Sequence, residues 1–412
     1  LLELGLIELE GLIDAAAAAG AAGAPSLVRF LIQRGHLSEE QAADVVHLVQ
    51  ERPEARGLRG ARYNLGPLLG KGANGSVLLA GDERLGRKIA LKLHSKGGDL
   101  SAIELNRFCH EAQVTGQLAH PSIVPVHDLG LLPDGRPYYT MKRIDGTTLK
   151  DVLDSLRRKE DRFEATWTVP HAVSVLLRVA QALAYAHDRG VVHRDVKPAN
   201  IMVGDYGEVL LLDWGVARVL GRASDGHEEV ATWRSEGDED RTIVGTIAGT
   251  PAYMAPEQAR GDIERIGPAS DVYSVGVILY EYIARRRPFV ARDVRELLHK
   301  VVTDPIAPPS LIDGARRVPE ELEALVMRCV EKDPEQRLAD GRALAAALEG
   351  FLEGSRRRQE AAELTERGAR KSLAYTNAAE SAVQAEQELR AREEQLAPWA
   401  GADDRRPVWR AE

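Results

Sequence analysis

Asp195 and Asn200 stand five residues apart in the stretch 191–200, VVHRDVKPAN, and the spacing joins two chemistries. A carboxylate accepts or orients a hydroxyl proton, and an amide oxygen holds a metal ion. Pro198 keeps Ala199 and its neighbours out of a regular helix, so the pair belongs to a loop. Farther along, Asp213, Trp214 and Gly215 follow the apolar run 209–212. A hard carboxylate at a strand end, with glycine to release the chain, suits magnesium.

Residues 70–77, GKGANGSV, fit the pattern G-x-G-x-x-G-x-V. A dinucleotide fingerprint needs a helix after its glycines and an acidic residue ~20 positions on. Here 76–80 reads as a strand, 81–87 as a turn and 88–93 as a second strand, which makes the glycines the tip of a β-hairpin. Missing β-carbons let such a tip close over an anion and aim its amides at phosphate oxygens. A glycine-rich hairpin with no ligand is the competing reading of this segment alone. Next, the strand Ile89, Ala90, Leu91, Lys92 ends on a lysine, which needs a partner when buried. Glu111, in the helical segment 105–118, is the candidate, and a lysine so held presents a fixed charge to phosphates. A snorkelling lysine and a surface glutamate are the alternatives for the two residues taken singly.

The texture between these motifs is strand-rich over 63–144, with one helical interruption near 102–118, and mainly helical from 146 on. Strands and helices in separate blocks predict an α+β fold with two unequal lobes. Ahead of it lie a low-complexity, amphipathic leader at 1–24 and a small helical hairpin at 25–60, which carries the capping box Ser38-x-x-Gln41. After 354 the composition turns to Ala, Glu, Arg and Gln. There Leu364, Leu373, Val383, Leu389 and Leu396 keep no strict heptad, so a charged helical linker over 355–397 fits better than a coiled coil. A tail follows at 398–412.

Bulk properties set bounds on the function. The chain has 412 residues, 44% hydrophobic and 28% charged, with a net charge of -9, which gives no sign of a nucleic-acid partner. Its two cysteines, Cys109 and Cys329, are far apart and outside metal-ligand spacing, as expected of thiols in a reducing compartment. No apolar run approaches the roughly 18 residues of a membrane span, and no secretory leader is evident. These features predict a cytoplasmic protein with no membrane segment within the chain. Leu1, where Met is expected, leaves open that a longer protein carries an anchor elsewhere.

Taken in order, the glycine loop, I-A-L-K, H-R-D-x-x-x-x-N, D-x-G and the A-P-E of 255–257 resemble the protein-kinase superfamily, specifically the bacterial serine/threonine kinases of eukaryotic (Hanks) type. The resemblance spans 63–352, roughly 70% of the chain. It implies a bilobal kinase domain at 63–354, with an N-lobe at 63–144 and a C-lobe at 145–354. It also implies ATP and Mg2+ as cofactors, with Mn2+ as the alternative ion, and protein substrates as partners. By the same resemblance Gly70, Lys71, Gly72, Ala73, Asn74, Gly75, Val77 and Ala90 would cover the nucleotide. Met141 would be the gatekeeper, and the hinge 142–144, with Lys142 and Ile144, would read adenine. Lys92 would bind the α- and β-phosphates and pair with Glu111. Asp195 would be the catalytic base, Lys197 would contact the γ-phosphate, and Asn200 and Asp213 would hold the metal. Lys197 and Thr250 match the serine/threonine branch. Glu257, Arg337 and Asp271 match structural anchors.

Two departures stand out. Trp214 replaces the usual phenylalanine, and its indole N–H needs a partner if buried. The 45 residues from Asp213 to Glu257 make a long segment, in which 225–240 holds seven carboxylates against one arginine. A solvated insertion is one reading of that run. The other makes Thr242 or Thr246 an autophosphorylation site facing Arg194, with Thr232 and Ser235 as weaker candidates and a homodimer as the form for trans-autophosphorylation. An ATP-binding pseudokinase scaffold is the alternative function, distinguished by nucleotide binding without phosphate incorporation.

Overall fold

Alternating side chains organise the first lobe. The structure is a computed structural model and describes residues 62–72, 75–95, 100–132, 134–220, 230, 250–394 and 401. The leader, the hairpin at 25–60, Ala73, Asn74, Thr232, Ser235, Thr242, Thr246 and the tail apart from Gly401 lie outside the described residues. Strands β1 (Tyr63–Lys71), β2 (Gly75–Asp82), β3 (Arg87–His94), β4 (Val126–Leu131) and β5 (Pro137–Lys142) form one sheet in the order β1-β2-β3-β5-β4. Every neighbouring pair is antiparallel. On β3, Ile89, Leu91 and Leu93 join Tyr63 and Ala80 in a buried cluster. The two-residue period then turns Ala90 and Lys92 to the opposite face. Helix α1 (Ala102–Gln117) covers that face, setting Phe108 and Ala112 against Tyr139. A reciprocal cap starts the helix: the Glu104 N–H donates to Ser101 Oγ at 3.3 Å, and the Ser101 N–H donates to Glu104 Oε2 at 3.1 Å. Such a cap stabilises a helix by ~1 kcal/mol.

The second lobe is built around helices apolar enough to be buried on several sides. Its elements begin with β6 (Gly146–Thr148), α2 (Leu149–Arg157), α3 (Asp161–Thr166) and α4 (Val169–Asp188). Strands β7 (Val191–Val192), β8 (Ile201–Gly204), β9 (Val209–Leu211) and β10 (Arg218–Val219) follow, paired as β6-β8-β9 and β7-β10. Then come α5 (Pro256–Arg260), α6 (Pro268–Ala284), α7 (Val294–Thr303), α8 (Glu320–Cys329) and α9 (Gly341–Glu394). Every residue of α6 from Ser270 to Ala284 is buried, the mark of a helix at the centre of its lobe. It packs on α4 and α8. Helix α4 has a mean hydropathy of 1.2 and is the one described helix long and apolar enough by composition to cross a bilayer. It reaches that value through alanine and valine, not through one unbroken apolar run. Val173, Leu176, Val179 and Leu183 are fully buried on it, as befits a core helix. The two-lobed α+β layout is the one the sequence predicts.

The chain divides into two units, one ending at Phe351 and one starting at Leu352. Helix α9 runs through residue 354, where composition suggests a boundary, without a break. In the second unit, every residue from 356 to 388 is exposed.

Candidate active site

Sheet periodicity decides which side chains meet. Val77 pairs across β2 and β3 with Lys92, and Ala90 pairs across β3 and β5 with Met141. Tyr139 precedes Met141 by two residues, so all five share the face covered by α1. There the Lys92 ammonium pairs with Glu111 Oε1 and lies 3.5 Å from Asp213 Oδ1. The Tyr139 hydroxyl donates to the same Glu111 oxygen at 2.7 Å. Burial works against the Lys92 charge, but Glu111, Tyr139 and Asp213 outweigh it and hold its pKa well above the ordinary lysine value. Burial also pushes the Glu111 carboxyl up, against Lys92 and Tyr139. With an ammonium and a phenol both donating to one oxygen, the ionised carboxylate is the form this geometry fits. Tyr139 went unread in the sequence; the signal available was its two-residue spacing from Met141.

Asp213 ends the segment after β9 with φ at 62°, a left-handed conformation uncommon outside glycine. Its side chain is 45% exposed. Burial pushes it up, yet Lys92 and the nearby His193 and Lys197 leave its pKa below the usual carboxylate range. Behind it Trp214 is fully buried against the His193 ring, with centroids 4.6 Å apart. Its indole N–H finds no acceptor among the described residues.

The loop after β7 holds the second cluster. Asp195 Oδ2 accepts from Lys197 Nζ at 2.5 Å, and Oδ1 accepts from the Thr250 N–H at 2.8 Å. Asn200 Nδ2 donates to the Asp195 carbonyl at 3.0 Å, which leaves the amide oxygen free to face elsewhere. The Asp195 N–H donates to His193 Nδ1 at 3.2 Å, so Nε2 carries the hydrogen and donates to the Leu212 carbonyl at 3.1 Å. Arg194 has φ at 65° and donates from Nε to the Val216 carbonyl at 2.6 Å.

Buried acids anchor this loop. Asp271, wholly buried, accepts from the backbone N–H of His193 and of Arg194, each at 2.8 Å, and from His187 Nε2 at 2.9 Å. The Gly341 N–H donates to His187 Nδ1 at 3.1 Å, which fixes that tautomer. Burial pushes Asp271 up, and the bond from His187 with the neighbouring donors more than offsets it, so its pKa is lowered. His187 is a second residue the sequence reading passed over, because an imidazole on an apolar helix reads as core. Glu257 and Arg337 form a bidentate pair, with both contacts at 2.8 Å.

On the nucleotide side, Gly70 pairs with Val77 and Lys71 with Ser76. The Gly72 N–H donates to the Gly75 carbonyl at 2.8 Å, which closes the hairpin tip. A β-carbon on Gly75 would lie 2.3 Å from the Leu93 carbonyl oxygen, so only glycine fits there. The Lys142 N–H donates to the Pro125 carbonyl at 3.1 Å. Its side chain pairs with Glu208 at 3.0 Å, and Arg143 pairs with Asp145, so both hinge cations are engaged on the surface. Ile144 is half-buried.

This ordered set agrees with a match of residues 63–348 to the family described as Protein kinase domain. The chain belongs to the protein kinase family. Its kinase segment is 36% identical to serine/threonine-protein kinase PknD of Protochlamydia amoebophila, over 71% of this chain and 30% of that protein. It is 37% identical to serine/threonine-protein kinase PknD of Chlamydia caviae, over 71% of this chain and 31% of that protein. A "probable serine/threonine-protein kinase" of Streptomyces coelicolor is 35% identical, over 72% of this chain and 40% of that protein. The chain therefore spans about a third of the length of these bacterial relatives.

Protein kinases use ATP and a divalent metal, and the residues of this kinase fit such an ion. Asp213 offers a carboxylate that stays ionised and exposed, and Asn200 offers an amide oxygen with no hydrogen-bond partner among the described residues. Both are hard oxygen donors. No group of three or more His, Cys, Asp or Glu side chains among the described residues could hold a metal. An ion here would therefore complete its shell with phosphate and water, as magnesium does.

Proposed function

We propose that this kinase transfers the γ-phosphoryl group of ATP to serine and threonine hydroxyls of protein substrates, with Mg2+. The observation that carries the reading is the Lys92 ammonium held between Glu111 and Asp213, a fixed cation where α- and β-phosphates would lie. Asp195 orients the substrate hydroxyl and takes its proton as the oxygen bonds to the γ-phosphorus and the bond to the ADP oxygen breaks. Lys197, bonded to Asp195, sets a positive charge beside the transferring group. The Thr250 N–H restrains the second Asp195 oxygen, which fixes the carboxylate's direction. Asn200 and Asp213 would hold the ion, which neutralises phosphate charge. Positioning and charge neutralisation are most of what phosphoryl transfer asks of a protein.

A cytoplasmic location and a signalling role belong to the same reading, supported by ATP as substrate and by two buried, unpaired thiols. Autophosphorylation at Thr242 or Thr246 also belongs to it. A Thr242→Ala, Thr246→Ala double variant that phosphorylates a peptide as fast as wild type would remove that element. The activity is tested by an intact-mass time course with ATP and magnesium after phosphatase treatment, beside Asp195→Asn. Stepwise phosphate addition in the wild type alone is expected. Nucleotide binding with no mass change, and none on a generic protein substrate, would overturn the reading.

A further inference from the structure

Helix α9 beyond Leu352 has no core of its own. Leu364 and Tyr375 are 64 and 79% exposed, an unusual cost for a helix that buries nothing. Some of its charges pair along the helix, Arg356 with Glu360, Glu366 with Arg370, and Glu386 with Arg390. Arg367 and Glu388 take no part in those pairs and make no ion pair among the described residues.

Side chains alternately three and four positions apart share one stripe of a helix. One stripe carries Leu364, Tyr375 and Leu389 together with the small residues Gly368, Ala378 and Ala385. The heptad missing from the leucines and valines alone is completed by the tyrosine and the small residues. We propose that this stripe is the contact surface for a second copy of the chain, laid antiparallel to the first.

Turned end for end, the stripe matches itself in one register. Leu364 falls opposite Leu389 of the partner subunit. Gly368 falls opposite Ala385 of the partner subunit, and Tyr375 opposite Ala378 of the partner subunit. Tyr375 then faces an alanine on either side of the two-fold axis, the leucines pack on each other farther out, and the small pair Gly368 and Ala385 lets the helices approach. Lys371 lies opposite Ala382 of the partner subunit, where its aliphatic stem packs and its ammonium reaches water. The same register sets Arg367 beside Glu388 of the partner subunit, twice by symmetry, so these two opposite charges, which like Lys371, Glu380 and Arg392 make no ion pair among the described residues, complement each other. A parallel pair in register does the reverse. It stacks Lys371 on Lys371 of the partner subunit and Arg392 on Arg392 of the partner subunit, and it leaves Arg367 and Glu388 without opposite charges. Charge complementarity therefore selects the antiparallel copy. The inference gives the expected homodimer a surface, and it does not depend on the phosphoryl-transfer reading.

Sedimentation equilibrium of the full chain tests it, with expected association to a dimer. Arg367→Glu and Glu388→Arg should each weaken association by roughly tenfold or more, since like charges then meet twice. The double variant Arg367→Glu, Glu388→Arg should restore it. Under oxidation, a mixture of Leu364→Cys and Leu389→Cys chains should crosslink one variant to the other, because Cys109 and Cys329 are buried. A monomer at all concentrations, a dimer indifferent to both charge reversals, or Leu364→Cys chains that crosslink to themselves would each overturn the proposal.

Discussion

Replacing Glu257 by alanine leaves the Arg337 guanidinium buried without its counter-ion. In the native protein, Arg337 NH1 and NH2 reach the two Glu257 oxygens at 2.8 Å, and both side chains are fully buried. Three further bonds go to carbonyls: Nε to Glu331 at 2.7 Å, NH1 to Ala269 and NH2 to Lys332, both at 3.0 Å. Ser270 Oγ also donates to Glu257 at 2.6 Å. The carbonyls keep the arginine's hydrogens bonded but cannot cancel its charge, so Glu257→Ala should cost about 3–5 kcal/mol, the range for breaking one side of a buried pair. Adding Arg337→Met should recover part of that loss, because no charge then remains to be buried. Urea denaturation of the wild type, each single variant and the double variant gives the coupling. Burial pushes the Glu257 carboxyl up, but Arg337 and Ser270 more than offset it and its pKa is lowered. The sign follows: the pair's contribution is present above the unfolded value of 4.5 and is lost as pH falls through the lower folded value. The gap between wild type and Glu257→Ala should narrow only in that acidic window. A loss below ~1 kcal/mol, or a double variant less stable than Glu257→Ala, would refute the reasoning.

Three other outcomes follow from the site and its surroundings. Glu111→Gln keeps a partner for Tyr139 but removes the charge that fixes Lys92, so kcat/KM for peptide phosphorylation should fall about 10–100-fold; an unchanged value would show that Asp213 alone suffices. Trp214→Phe removes an unsatisfied buried N–H, relief of about 1–3 kcal/mol that offsets lost volume, whereas Trp214→Ala should cost about 3–5 kcal/mol. Urea midpoints compare them, and equal losses would mean that the indole has an acceptor. Burial pushes the Cys109 and Cys329 thiols up to about 12. Alkylation at pH 8 should therefore spare both in the folded protein and label both in denaturant, as read by mass.

How much of this was legible beforehand depended on the reach of each signal. Lys92 and Glu111 could be paired because a lysine ending an apolar strand demands a partner and the helical segment 105–118 held one glutamate. Asp195, Lys197 and Asn200 sit within one loop, so their spacing displayed their cooperation. Tyr139 and His187 were silent because their bonds run to Glu111 and Asp271, 28 and 84 positions away, and a buried tyrosine or histidine is ordinary core. Around 354 the composition changes while the helix does not. Gly350 and Gly354 each cost about 1 kcal/mol in a helix interior, yet α9 runs through both. Trp214 was marked as needing a partner, and the structure supplies none among the described residues.

Gly341 determines where this chain can be spliced. A β-carbon there would lie 2.4 Å from the backbone nitrogen of Ala184 and 2.8 Å from the Ala180 carbonyl oxygen, so α9 starts flush against α4. Its amide ends on His187, whose other nitrogen ends on Asp271, which holds the amides of His193 and Arg194. The first peptide group of α9 and the start of the catalytic loop are thus successive links of one relay. A foreign module joined after Phe351 leaves every link in place. One joined before Gly341 deletes the first donor and frees His187, so the joint for exchanging modules lies inside the helix and not at the loop that precedes it.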